Sequence, residues 1–147
     1  MRIQVFCATL MAAVGSPAFA DDFCVSLKAA VAAAQTDFSA IEGREHEFIP
    51  SWRDATIKLP YVDDCHVDPD KRNLSYYCSW EREQPAAVNA RYKYAVKEVD
   101  QCLTDFEKTV GDQVTTWRNP ASGTVTVNAR HVMKNTQTWS VSLTVRR

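Results

Sequence analysis

Glycine is scarce in this chain, with four residues in 147. That leaves no glycine-rich loop to cradle a phosphate. Histidine is scarcer still, at three, and His46, in "REHEF", does not belong to an H-E-x-x-H pair. No serine stands in a G-x-S-x-G elbow, so no nucleophile is marked by its motif. The cysteines have no close C-x-x-C spacing, which argues against a four-cysteine zinc site. The stretch "YVDDCHVDPD" carries Asp63, Asp64, Asp68 and Asp70, but it lacks the glycine and the distal glutamate of a calcium loop and reads as a solvated acidic turn. An excess of one charge sign is also missing. With 17 basic and 18 acidic side chains, mixed along the chain, the formal net charge is −1. No basic stripe is present to displace counterions, so nucleic acid is not an expected partner. Past the first twenty residues no apolar run is long enough to span a membrane. No cofactor and no metal are expected.

What the sequence does contain starts with its first twenty residues, which read as a secretory signal. Arg2 is the charged start, "IQVFCATLMAAVG" is the apolar stretch, and "SPAFA" supplies small residues at Ala18 and Ala20. Cleavage is expected after Ala20, giving a single domain over 21–147 in the periplasm or the medium. Four cysteines then remain, and an even number in a small exported domain reads as two disulfides. Of three pairings, Cys65–Cys78 and Cys24–Cys102 are expected. "DPDKRN" is turn chemistry that would set residues 65 and 78 opposite each other. The second bridge would join the start of one helix to the end of another.

The apolar spacing predicts two helices. In the first, Phe23, Leu27, Val31, Ala34, Phe38 and Ile41 fall at intervals of three and four, with Asp21 or Asp22 as cap and Gly43 as stop. In the second, Pro85 suits the first turn, Val88, Tyr92, Ala95, Val96, Val99, Leu103 and Phe106 make the stripe, and Gly111 is the expected end. Strand alternation is read in "ATIKLPYV", interrupted by Pro60, and in "LSYYCSWE", where Tyr76, Cys78 and Trp80 share one face and Ser75, Tyr77 and Ser79 the other. "QVTTWR", "GTVTVNARHV" and "TWSVSLTVRR" follow, the last two joined by a turn at "MKNTQ".

The order helix, strands, helix, strands is matched by a recurrence. Trp52-Arg53 returns as Trp117-Arg118, and His66-Val67 as His131-Val132, each 65 residues on. The fold expected is α+β: two αββ(β) repeats, about 22–83 and 84–147, forming one antiparallel sheet of about six strands. Two helices would pack on one face, with pseudo-twofold symmetry and the second face partly open. A difficulty is visible in advance. Pairing Cys65 with Cys78 puts Cys65 on the face opposite Val62, whereas the repeat puts Val62 inward.

Candidate binding residues are Trp52, Arg53, Tyr61, Tyr77, Trp117 and Arg118, because tryptophan, tyrosine and arginine anchor protein interfaces. The competing reading of Trp52 and Trp117 is that each fills the same corner where the chain enters the sheet. A two-repeat exported domain with a concave sheet is similar in general plan to secreted enzyme inhibitors of the β-lactamase-inhibitor type, a resemblance that carries over no residue. Three functions follow in order: a non-enzymatic module that docks another protein, as an inhibitor, immunity factor or assembly accessory; a carrier of a small ligand or envelope component held between sheet and helices; and a small hydrolase using His66 or His131. The sequence fixes no oligomeric state.

Overall fold

Cys65 and Cys78 face each other across two antiparallel strands, and their disulfide joins two inner strands of the sheet. The computed structural model describes residues 18–131 and 139–147. Positions 1–17 of the expected signal, and the turn expected at 133–137, lie outside the described residues.

Helix α1 runs Ala18–Ala33 and is followed by a 3-10 turn, Ala34–Thr36. Four strands come next: β1 Glu42–Glu45, β2 Arg53–Ala55, β3 Asp64–Asp68 and β4 Ser75–Glu83. Helix α2, Pro85–Cys102, leads into β5 Glu107–Val110, β6 Val114–Asn119, β7 Gly123–His131 and β8 Trp139–Arg146. Among the described residues all pairings are antiparallel, and the eight-stranded sheet has the order β1-β2-β3-β4-β8-β7-β6-β5. The first half of the chain therefore supplies one side of the sheet and the second half the other, joined where β4 meets β8.

The strand count differs from the expected six because β1 and β5 are short edge strands. Their sequences, "EGRE" and "EKTV", lack the apolar alternation by which a strand is recognised. Gly43 therefore lies inside β1, and Gly111 in the turn after β5, neither ending a helix. The segment "ATIKLPYV" is largely loop, with only Ala55 in a strand. Tyr61 takes a left-handed backbone, φ 61°. That kink breaks the alternation before β3 begins, so Val62 packs on the core while Cys65 is also inward.

Helix α1 stops well before Ile41. Asp37 and Phe38 have φ of 53° and 59°, and this left-handed pair turns the chain while Phe38 and Ile41 still reach the core. Asp21 and Asp22 lie within α1 and do not precede it. Both helices cover one face. Phe23, Leu27, Ala30, Ala95 and Val99 meet Val67, Tyr76, Trp80, Val125, Val141, Leu143 and Val145 in a core closed to solvent. Cys24–Cys102 ties α1 to the end of α2. Gly123 opens β7 with φ 111°, and a Cβ there would meet the Arg146 carbonyl oxygen at 2.3 Å, so no other residue fits. No helix among the described residues is long and apolar enough to cross a membrane.

Candidate functional site

The face of the sheet that carries no helix among the described residues is concave and forms a groove of about 1340 Å³. Its floor follows from the period-two alternation of the strands. Residues one position out of step with the core form lateral rows. One row runs His66, Tyr77, Thr144, Thr126, Thr116 across β3, β4, β8, β7 and β6. A second runs Asp64, Ser79, Ser142, Asn128, Val114 across the same strands. At the far end Arg146, Thr124 and Arg118 lie in register. The floor is thus made of hydroxyls and amides, with carboxylates toward β3 and guanidinium groups at one far corner.

One wall is the loop between β1 and β2. It is held compact by backbone bonds from the His46 amide to the Trp52 carbonyl (3.0 Å) and from the Trp52 amide to the Ile49 carbonyl (2.8 Å). Trp52 lies stacked on His66, ring centroids 4.1 Å apart, and Tyr77 stacks against His66 at 4.9 Å. His66 is 5% exposed although its strand face is the open one, because these two rings cover it. Phe48, at the tip of the loop, is 80% exposed.

Behind the stack lies a small polar cluster. His46 Nε2 is 3.3 Å from Asp64 Oδ2, and His66 Nδ1 is 3.6 Å from the same oxygen. The backbone amides of Phe48 and Ile49 both donate to His46 Nδ1 at 3.2 Å. An imidazole nitrogen that accepts carries no proton, so the proton of neutral His46 is on Nε2 and is donated to Asp64. Asp64 Oδ1 accepts the Cys65 amide at 2.8 Å and is 3.7 Å from Lys58 Nζ. Burial works to raise Asp64, but the bonds from His46 and the Cys65 amide, with His66 and Lys58 nearby, outweigh it and hold the carboxyl below its ordinary value. Burial pushes His66 below its ordinary value, against the pull of Asp64. Neither nitrogen of His66 has a hydrogen-bond partner among the described residues.

The residues expected from the sequence divide sharply. Trp52, Tyr77 and Arg118 line the groove. Trp117 is 1% exposed, on the helix side of the sheet, where Nε1 donates to Asp100 Oδ1 at 2.8 Å. It is therefore not among the exposed aromatics. Arg53 pairs with Glu45 at 3.4 Å and does not line the groove, and Tyr61 is exposed outside it. The recurring Trp-Arg pair thus does not recur in space: in the first copy the tryptophan lines the groove, and in the second the arginine does. The cause is local. Trp52 stands in the loop before β2, whereas Trp117 is inside β6 opposite Val125, a core residue.

Sequence reasoning missed His46 and the loop that carries it. Its partner in space, Asp64, is eighteen residues away, and no motif links the two. The side chain of His131 lies outside the described residues. No family model, no curated protein and no solved structure matches the chain, so its functional reading rests on this geometry.

Proposed function

We propose that this is an exported, non-enzymatic binding module that receives a protruding polar loop of a partner protein in the groove of its helix-free sheet face. One observation carries the reading. The groove exceeds the ~300–1,000 Å³ of small-molecule sites and lies on a face with no helix over it among the described residues. Its surroundings fit. A floor of hydroxyls and amides offers hydrogen bonds to a polar chain, Trp52 supplies a rigid aromatic wall, and Phe48 stands exposed at the rim as an anchor. The space between helices and sheet offers less to a small ligand. It is filled by core side chains, and a hollow of about 360 Å³ is left at its edge beside Gln35 and Phe106. Two disulfides suit an oxidising compartment, in keeping with the signal-like first twenty residues.

The test is capture from periplasmic extract under oxidising conditions. The intact protein is compared with Thr126→Arg, which blocks the groove floor, and with Lys93→Glu on the exposed side of α2. Capture of one protein by wild type and Lys93→Glu, lost in Thr126→Arg, is the expected result. No capture, or capture indifferent to Thr126→Arg, overturns the reading.

The two halves are further read as copies of one helix-plus-four-strand unit related by a pseudo-twofold axis. Support comes from the mirrored strand order and from β1 and β5, which begin 65 residues apart at Glu42 and Glu107. If 21–83 and 84–147, co-expressed as separate chains, failed to reassemble, this reading would lose its support.

A further inference from the structure

His66 presents an unusual economy. It is nine-tenths buried and without a hydrogen bond to either ring nitrogen among the described residues. An unmade bond at a buried polar atom is costly, and the stack between Trp52 and Tyr77 fixes the ring where it is. Its Nδ1 faces the same carboxylate oxygen that His46 Nε2 faces, from a different direction. Two imidazoles and one carboxylate thus converge, with one donor atom from each within 4.8 Å of the others.

We propose that His46, Asp64 and His66 form a binding site for a single divalent transition-metal ion of the zinc class. Zinc takes imidazole nitrogen and carboxylate oxygen at about 2.0–2.2 Å in tetrahedral geometry, which makes the edges between ligand atoms roughly 3.3–3.5 Å long. The two edges at Asp64 Oδ2 are 3.3 and 3.6 Å. The third, between the two histidines, lies within 4.8 Å. The three residues line the groove, so the fourth position faces it and is left to water or to a donor from a bound partner. Two nitrogens and one oxygen favour zinc over calcium or magnesium, which prefer oxygen alone.

The site also makes a structural demand. Metal at His46 Nε2 displaces the proton there, and the neutral ring then carries it on Nδ1. That nitrogen now accepts the Phe48 and Ile49 amides, and both bonds must break. Ion binding is therefore coupled to re-seating of the segment that presents Phe48. Lys58, exposed and 3.7 Å from the other oxygen of Asp64, places a positive charge beside the ion.

The experiment titrates the untagged, oxidised, intact protein with Zn²⁺ by calorimetry and with Co²⁺ by visible absorption. His66→Phe keeps the aromatic stack and Asp64→Asn keeps an acceptor for the Cys65 amide, so both variants should fold, which circular dichroism verifies. Expected is one Zn²⁺ per chain, tetrahedral Co²⁺ bands, and affinity lowered about tenfold or more by each substitution. His131→Ala is expected to leave binding unchanged. Absence of binding to the folded wild type, binding that survives both His66→Phe and Asp64→Asn, or binding abolished by His131→Ala would each overturn the site.

Discussion

Trp52 lies on the imidazole of His66 with ring centroids 4.1 Å apart and planes 29° from parallel. This contact pins the β1–β2 loop to the sheet, since Trp52 is the last residue of the loop and His66 is part of β3. The groove wall and the histidine cluster both depend on it.

Trp52→Ala is accordingly expected to loosen the wall more than the fold. A stacked, half-buried ring contributes about 0.5–1.5 kcal/mol beyond its area, so a total loss of ~1–2 kcal/mol is expected. Trp117→Ala empties a core position and is expected to cost about 3–5 kcal/mol. Urea denaturation of the two variants gives the comparison, and equal losses would contradict the placement of the two tryptophans on opposite faces.

The indole nitrogens of Trp117 and Trp80 make a second contrast. Trp117 donates to Asp100, which Lys108 also holds. Trp80 is 1% exposed, and its Nε1 has no partner among the described residues. Trp117→Phe gives up a hydrogen bond to a charged group, worth about 1.5–3 kcal/mol, while Trp80→Phe removes an unpaired donor. With similar volume lost, Trp117→Phe is expected to be the more destabilising by roughly 2 kcal/mol, measured by denaturant midpoint at constant slope.

Tyr76 governs part of the alkaline limb of stability. It is fully buried, donates its hydroxyl to the Ile57 carbonyl at 3.0 Å, and burial raises its pKa far above that of a free tyrosine. A raised pKa means the folded state keeps a proton that the unfolded chain releases. The stabilisation is whole below about pH 10 and falls by ~1.4 kcal/mol per pH unit above it. In Tyr76→Phe this slope is expected to be shallower by one proton's worth. Denaturation curves between pH 9 and 11, with tyrosinate absorbance, test this; parallel alkaline limbs would contradict it.

The two disulfides are expected to differ in worth. Cys24–Cys102 closes a separation of 78 residues and Cys65–Cys78 one of 13. Loop entropy assigns about 4.5 kcal/mol to the first and about 3 kcal/mol to the second. Removing each pair by double alanine substitution is expected to lower the melting temperature more for Cys24–Cys102. The reverse order would mean that packing around the buried Cys65–Cys78 bridge outweighs chain entropy.

Much of the framework could be read from residue spacing. Alternation in "LSYYCSWE" gave Tyr76 and Cys78 to the core and Tyr77 to the other face, and helical periodicity marked Leu27 and Val99. These signals are legible because burying one face imposes a period on the chain, of two in strands and 3.6 in helices. The edge strands β1 and β5 were not legible: with little to bury, they carry no period, and they form because a neighbour offers hydrogen bonds.

The binding side was less legible still. The recurrence of Trp-Arg and His-Val suggested twin sites, yet Trp52 lines the groove while Trp117 fills the core. Trp52 stands in the loop before β2 and Trp117 inside β6, so the same letters face opposite ways, and identity of letters cannot record it. The sequence by itself determined the α+β class and which strand faces would be apolar, and its turn chemistry pointed to the Cys65–Cys78 bridge, since local spacing acts over a few residues. The Cys24–Cys102 bridge, 78 residues apart, was one pairing among three until the structure joined α1 to α2. Only the tertiary structure decided that His46 would meet Asp64 and His66 under Trp52. That meeting depends on the pairing of β2 with β3 and on the fold of the loop before it, contacts between segments that no local pattern links.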